Sequence, residues 1–209
     1  MKFAYGSYQM GRDRRILQSD FPYHIFNRVN NSEHLYDLTA AFNYFLEHLI
    51  EVGEQTNFRP YHFILMGNHY HLIGSTPNSN LSEFMQIFQT QVSKSLNRLT
   101  NRKDHFFKNR YGATIINNEK YLFKVISYLY QNPVRANVAQ SPFVYPYSTL
   151  KIYLSNAWEK YKLYWGPGFE NLSLSERLNF LKQLCSSLLD DYESKIISHA
   201  LRGSIFTFD

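Results

Sequence analysis

Residues 59–77 read "RPYHFILMGNHYHLIGSTP" and hold two short runs rich in apolar and aromatic residues, separated by Gly67 and Asn68. A Gly-Asn pair between two such runs is typical of a tight turn, because both residues tolerate backbone conformations that most others avoid. The stretch therefore predicts a β-hairpin.

A helix is predicted on each side of this hairpin. Residues 37–56 carry apolar side chains at helical spacing,. Residues 80–100 do the same, and Asn80 or Ser82 can cap the first turn of that helix,.

Two further strands are predicted outside these helices, "PYHIFNRV" at residues 22–29 and "GATIIN" at 112–117,. Another helix begins near residue 118 and continues until Pro133 kinks or stops it,. The order β-α-β-β-α-β-α predicts an α+β fold with the helices on one face of an antiparallel sheet. Residues 151–209 are helical and mixed in composition, and we interpret them as an extension.

The composition is that of a globular protein with one core, since 44% of the residues are hydrophobic and 19% are charged,. No apolar run approaches the roughly 20 residues that span a bilayer, and the start of the chain lacks the apolar segment of a secretion signal. The single cysteine, Cys185, fits a reducing cytoplasm and lies in a stretch typical of a helix core,.

The net charge of +5 is concentrated in "GRDRR" (11–15), "NRLTNRKDHFFKNR" (97–110) and "NPVRAN" (132–137). Aromatic residues make up 17% of the chain. Cations for phosphates together with flat rings for unstacked bases are what a single-stranded nucleic acid site needs. A solvated basic surface over an aromatic core is the alternative, and the composition leaves both open.

His69 and His71 point to the same face of the predicted strand, whereas Tyr70 between them points to the other face and into the core,. Two imidazoles converging in this way can hold a metal ion or a phosphate. The alternative is a pair of ordinary polar residues on an open sheet face. No zinc-type Cys motif, phosphate loop or serine nucleophile motif accompanies them.

The predicted helix "KVISYLYQNPVRAN" (124–137) supplies possible partners for the histidines. Tyr128 and Asn132 lie one turn apart on one face, with Lys124 one turn earlier and Tyr130 on the opposite side,. These groups beside two imidazoles would make a phosphoryl-transfer site, with the Asn132 oxygen as a third metal ligand. Tyr128 as an ordinary core aromatic is the alternative.

Four stretches together resemble the HUH-type single-tyrosine transposases of the IS200/IS605 class, and more closely their REP-associated branch. The resemblance covers roughly residues 20–150, in the family's order and spacing. It is carried by "YHIFNRVNN", "FILMGNHYHLIGSTPNSNLSEFMQ", "HFFKNRYGATIINNEKYL", and "ISYLYQNPVRANV" followed by "YPYST".

The resemblance implies a ferredoxin-like sheet within a catalytic domain at residues 1–150, and a mainly helical C-terminal extension at residues 151–209. It places His69 and His71 at the HUH positions, Tyr128 as the nucleophile and Asn132 as the third ligand of Mg²⁺ or Mn²⁺. The activity implied is metal-dependent cleavage and rejoining of single-stranded DNA through a 5′-phosphotyrosine.

The partner implied is single-stranded DNA with REP-like hairpins, bound by a monomer or a homodimer. Phe106, Phe107 and Tyr111 are candidates to stack on bases,. Candidates to bind the DNA backbone are the cations Arg12, Arg14, Arg15, Arg28, Arg102, Lys103, Lys108, Arg110, Lys124 and Arg135.

Two other functions are alternatives to cleavage. A domesticated DNA- or RNA-binding protein would keep the fold without cutting, but it has no need of the set His69, His71, Tyr128 and Asn132. A hydrolase of small phosphate esters would need a general base to activate water, and none lies near the histidines in the sequence.

Overall fold

The structure, a computed structural model, describes residues 17–30, 34–35, 37–187 and 189–207. The first seven elements follow the predicted order β-α-β-β-α-β-α, and three further helices come after them. The elements of this part of the chain are β1 (Pro22–Arg28), α1 (Leu38–Thr56), β2 (Arg59–Leu65), β3 (His69–Ser75), α2 (Leu81–Thr100), β4 (Gly112–Ile115), α3 (Glu119–Arg135), α4 (Leu150–Leu154), α5 (Leu174–Ser186) and α6 (Asp191–Ala200).

The four strands form one antiparallel sheet in the order β2-β3-β1-β4. β2 and β3 are the predicted hairpin, in which Leu65 pairs with Tyr70 next to the turn. The interleaved order, with β3 and β1 in the centre, is that of a ferredoxin-like sheet. The predicted α+β fold class is confirmed.

Helices α1 and α2 cover one face of the sheet, where the apolar side chains of the strands are buried. Tyr70 is 1% exposed. Its ring centre lies 5.2 Å from that of Phe45 in α1 and 6.3 Å from that of Phe88 in α2. The predicted burial of Tyr70 in the core is confirmed.

Helix α3 lies on the opposite face, which carries the histidines. Tyr128 packs against His71 of β3, and the hydroxyl of Tyr130 bonds His62 Nδ1 of β2 at 2.9 Å. The prediction that the helices lie on one face of the sheet is therefore correct for α1 and α2. It is wrong for α3, which forms a third layer against the face that carries the histidines.

Pro133 does not stop α3, which continues to Arg135. A proline has no N–H to bond the carbonyl four residues before it, here that of Leu129. The side chain of Asn132 supplies the missing donor, because its Nδ2 bonds the Leu129 oxygen at 3.2 Å. The helix can therefore carry the proline in its last turn.

The C-terminal part packs on α3 and on the edge of the sheet. Ser127 Oγ of α3 donates to the carbonyl of Leu184 at 2.8 Å, and Cys185 beside it is fully buried, as predicted. Beyond α6 the chain pairs with β4, where the N–H of Phe206 donates to the Ile115 carbonyl at 2.8 Å. Within the described residues, no helix combines the length and apolar character needed to cross a bilayer.

Candidate functional site

The histidine face of the sheet forms the floor of a cavity of about 220 Å³. As predicted, His69 and His71 point to the same side of β3, with ring centres 5.2 Å apart and ring planes nearly perpendicular at 87°. Strands β1 and β3, helix α3 and the end of α6 all contribute to the wall. The lining residues are His24, Phe26, Arg28, His69, His71, Tyr128, Asn132, Ser198, Leu201 and Arg202.

Hydrogen bonds to neighbouring side chains orient both imidazoles. His69 Nδ1 lies 2.8 Å from Asn68 Oδ1, and an amide oxygen only accepts, so the proton is on Nδ1 and Nε2 keeps its lone pair,. His71 Nδ1 lies 2.8 Å from His24 Nε2. A proton on His71 Nδ1, donated to His24, leaves a lone pair on His71 Nε2 as well.

The three imidazoles are neutral at physiological pH. Burial lowers the pKa of His24 to about 3, and burial together with the charge of Arg28 lowers the pKa of His69 to about 4. The pKa of His71 is well below its usual value, mainly because of burial and then because of the neighbouring histidines. Neutral imidazole is the form that binds metal ions.

Helix α3 brings Tyr128 to this cavity, one turn before Asn132. The rings of Tyr128 and His71 are nearly perpendicular at 88°, with ring centres 6.1 Å apart, and Tyr128 is 7% exposed. Arg135 lies over the same ring, with its Cζ 4.2 Å from the ring centre. A guanidinium on an aromatic face is an attractive cation–π contact.

The side chain of Asn132 is held with its oxygen away from the helix backbone. Its Nδ2 donates to the carbonyls of Tyr128 at 3.0 Å and Leu129 at 3.2 Å. Its Oδ1 accepts from Arg135 at 3.0 Å. Because an amide oxygen has two lone pairs, one is left after the bond to Arg135.

The donor set fits a divalent ion that takes part of its coordination from a substrate. Neutral imidazoles suit divalent first-row transition ions, and the amide oxygen together with substrate or water oxygens suits Mn²⁺ or Mg²⁺. In the part of the chain that the structure describes, no group of three or more His, Cys, Asp or Glu side chains is arranged to hold a metal. An ion here would therefore depend on Asn132 and on substrate or water oxygens to complete its shell.

The predicted DNA-binding cations are spread over several places. Arg28 lines the cavity, and Arg135 stands beside Tyr128. Lys124 is not among the residues that line the cavity, and its Nζ lies 3.5 Å from Glu193 of α6. In the loop after α2, Arg102 forms a bidentate pair with Asp104, and the cations Lys103, Lys108 and Arg110 are exposed.

Other predicted residues do not contribute in the expected way. Phe106 and Tyr111 are 2% and 5% exposed, so the prediction that they stack on bases is wrong because their ring faces are already packed in the core. Phe107 is half-buried beside Phe106. Arg12, Arg14 and Arg15 lie outside the described residues.

Sequence reasoning missed five residues of the cavity wall. His24 and Phe26 are signalled by the alternation of β1, which places both on the same face of the sheet as His69 and His71,. Ser198, Leu201 and Arg202 come from the end of α6 and the turn after it. Their positions depend on long-range packing that no local pattern reveals.

Residues 18–132, more than half of the 209-residue chain, match the family described as "Transposase IS200 like". The chain belongs to this family of IS200-like transposases, which confirms the family predicted from the sequence. No curated protein shows significant sequence similarity to the chain.

The solved structures that match this chain include two described as transposases. A REP-associated tyrosine transposase bound to a REP hairpin is 19% identical with a TM-score of 0.59, over 70% of this chain and 86% of that chain. A protein from Deinococcus radiodurans R1 described as a transposase is 13% identical with a TM-score of 0.39, over 71% of this chain and 98% of that chain. The first structure shows a shared fold, whereas the second score is too low to support an argument.

Proposed function

We propose that this protein cuts and rejoins single-stranded DNA beside hairpins, using Tyr128 as the nucleophile. The observation that carries the proposal is that the Tyr128 ring contacts His71 in a cavity that also holds the two neutral imidazoles of β3, while Arg135 lies over the Tyr128 ring. A tyrosine with a purely structural role in the core needs neither the paired imidazoles nor the cation.

In the proposed reaction the phenol oxygen of Tyr128 attacks the scissile phosphorus and loses its proton. The bond from phosphorus to the 3′ oxygen breaks, and that oxygen leaves as a 3′-hydroxyl after taking up a proton. The 5′ end stays joined to Tyr128 as a phosphodiester. A second 3′-hydroxyl then attacks the phosphotyrosine, which restores the phenol and joins the strands without ATP.

His69, His71 and Asn132 would hold Mg²⁺ or Mn²⁺, which supplies neutralisation of the phosphate charge when it is bound. The guanidinium of Arg135 stabilises the developing negative charge on the phenol, and it keeps the Asn132 oxygen in place,. Arg28 and Arg202 on the cavity wall would bind phosphates of the DNA strand,.

We assign the protein to the REP-associated branch and propose DNA with REP-like hairpins as its substrate. The shared fold with a transposase bound to such a hairpin supports the substrate class. We place the protein in the cytoplasm, where such DNA is found. Residues 1–150 would form the catalytic domain, and residues 151–209 would complete its wall through Ser198 and Arg202.

A single chain holds the histidines and the tyrosine of one site, since His71 and Tyr128 of the same chain are in contact. We therefore propose that a monomer cuts. Mixing inactive Tyr128→Phe with inactive His69→Ala should restore no cleavage. Restored activity would show that a dimer shares its sites between subunits.

The function is tested with a hairpin oligonucleotide library from the DNA that flanks the gene, labelled at either end and incubated with Mn²⁺. The label downstream of the cut should remain with the protein on a denaturing gel, while the upstream label is released with a 3′-hydroxyl. Tyr128→Phe should abolish the adduct, and Tyr130→Phe in the same helix should keep it. Tight binding with no adduct in any variant would favour a domesticated protein that binds DNA without cutting.

A further inference from the structure

A second cavity, of about 460 Å³, lies at the other end of the sheet, where β2 begins and β3 ends. Ser75 lines it and follows His71 by four residues on the same face of β3, which corresponds to about 13 Å,. Most of its wall comes from the C-terminal extension, and its rings and cations are Arg59, Tyr61, Trp158, Tyr164, Trp165 and Arg177. We call it the tryptophan pocket.

The tryptophan pocket is held in shape by backbone and ring contacts. The N–H of Tyr164 donates to the Pro60 carbonyl of β2 at 2.9 Å. The hydroxyl oxygen of Tyr153 lies 2.5 Å from the carbonyl oxygen of Tyr61 and 2.6 Å from that of Tyr164, so its single proton is shared between these two acceptors,. Its ring also packs on Trp165, with ring centres 4.5 Å apart. The rings are therefore fixed before any ligand arrives.

Gly166 allows the chain to pass close to one of these rings. Its φ is +80°, and a Cβ placed there would come within 3.0 Å of Tyr61 Cδ2. Any other residue would meet both the strained backbone and the ring. The close approach of this turn to Tyr61 thus depends on glycine.

Cations of the protein itself lie against the aromatic rings of the pocket. Arg59 Cζ is 6.0 Å from the ring centre of Tyr164, and Arg177 Cζ is 5.9 Å from that of Trp165. Arg177 is anchored by the carbonyls of Leu172 at 2.8 Å and Glu170 at 3.0 Å. An aromatic cage that binds an organic cation keeps its ring faces free for that cation. Here two arginines of the protein already lie over the ring faces, so the pocket does not suit a cationic ligand.

The remaining surface suits a flat, polar and anionic ligand. Tyr164 is 48% exposed and offers a ring for stacking, beside the planar guanidinium of Arg59. The exposed carboxylates of Asp20 and Glu170, also in the wall, accept hydrogen bonds of the kind that exocyclic amino groups of bases donate,. The stretch 151–165 interleaves five aromatic residues with three lysines, a composition that suits single-stranded nucleic acid,.

We propose that the tryptophan pocket binds an unpaired base of single-stranded DNA next to the strand held in the catalytic cavity. The base would stack on Tyr164, and Arg59 would contact its phosphate. The choice of DNA as the ligand rests on the proposed function, while the shape and chemistry of the pocket do not. The C-terminal extension would thereby help to select the single-stranded segment.

Intrinsic fluorescence tests this site directly, because the chain has two tryptophans and both line the pocket. The experiment uses the full chain with Tyr128→Phe, so that cleavage cannot contribute to the signal. The probes are a mixed-sequence single strand of 12 nucleotides, the same strand with abasic sugars throughout, and the same strand in a duplex. The intact single strand should quench the fluorescence to saturation, and the other two should not.

Tyr164→Ala in the same background should weaken the binding measured by quenching about tenfold, the effect of losing one stack of a base on an aromatic ring. Tyr192→Ala removes another exposed tyrosine, 73% accessible on α6, and should leave that affinity unchanged. Equal effects of the two variants would contradict the assignment of the base to Tyr164.

Unchanged fluorescence with the intact single strand would overturn the proposal, whether or not labelled DNA binds elsewhere. Equal quenching by the abasic strand would also overturn it, because phosphates alone would then account for the signal. Quenching that follows the expected pattern, together with the absence of any Tyr128 adduct in the wild-type protein, would support the pocket and contradict the proposed cleavage. The two hypotheses can therefore fail separately.

Discussion

The Cζ atom of Arg135 lies 4.2 Å from the ring centre of Tyr128, and the same guanidinium donates to Asn132 Oδ1 at 3.0 Å. One cation thus contacts both the proposed nucleophile and the proposed third metal ligand. This contact links the last turn of α3 to the chemistry of the cavity, since Pro133 and Asn132 fix the backbone that carries Arg135.

Arg135→Ala should slow formation of the Tyr128 adduct about tenfold or more, because the phenol loses a cation–π contact worth roughly 0.5–2 kcal/mol and Asn132 loses its donor. The rate is measured in a single turnover with saturating DNA. Arg98→Ala, an exposed arginine on α2, is the matched control and should leave the rate unchanged. Equal slowing in both variants would point to a general loss of DNA attraction.

His24→Ala should weaken Mn²⁺ binding about 10- to 100-fold, because His71 loses the side chain that orients its ring,. His62→Ala is a close control, since both side chains are 1% exposed and burial lowers both pKa values to about 3. His62 instead bonds Tyr130. Electron paramagnetic resonance titration of Mn²⁺ reads out the difference, and a similar loss of affinity in both would contradict a specific role for His24.

Phe206→Ala should destabilise the protein by about 3–5 kcal/mol, because this fully buried ring packs on Tyr121 beside the paired edge of β4,. In a protein of this size that change lowers Tm by about 10 °C. Ile205→Ala, at a neighbouring residue that is 40% exposed, should stay within about 0.5 kcal/mol of the parent,. Thermal unfolding followed by circular dichroism compares the two variants.

Cys185 should resist alkylation in the folded protein, because it is fully buried and burial raises the pKa of its thiol from 9.0 to about 12. Because the folded thiol keeps its proton at a pH where the unfolded thiol loses it, the free energy of unfolding is unaffected by this group below about pH 9 and falls between pH 9 and 12,. Mass spectrometry after iodoacetamide treatment at pH 8 should find the thiol unmodified until the protein is unfolded. Rapid labelling in the native state would show that α5 separates from α3.

The parts of the fold that the sequence predicts are those with strong local periodicity. The alternation around Tyr70 placed one side chain in the core and two imidazoles on the other face, and the structure has both. Pro133 predicts a kink or an end of the helix, but a side-chain hydrogen bond from Asn132 compensates for the missing N–H and α3 continues to Arg135.

Packing between distant segments could not be predicted from the sequence. The aromatic count alone does not distinguish Phe106 and Tyr111, whose rings are buried, from Tyr164, which is half exposed. Likewise, nothing local indicates that Arg202 reaches the cavity from the C-terminal extension or that Phe206 pairs with β4. These contacts depend on how the extension folds back over α3.

The role of Tyr128 as the nucleophile is tested by locating the covalent bond between the protein and DNA. The wild-type protein is incubated with Mn²⁺ and a cleaved hairpin substrate, denatured, digested with nuclease and protease, and analysed by tandem mass spectrometry. The proposal predicts a nucleotide 5′-phosphate on Tyr128, lost in His69→Ala and in the presence of a chelator. A nucleotide on another tyrosine, or an adduct that persists without metal, would contradict it.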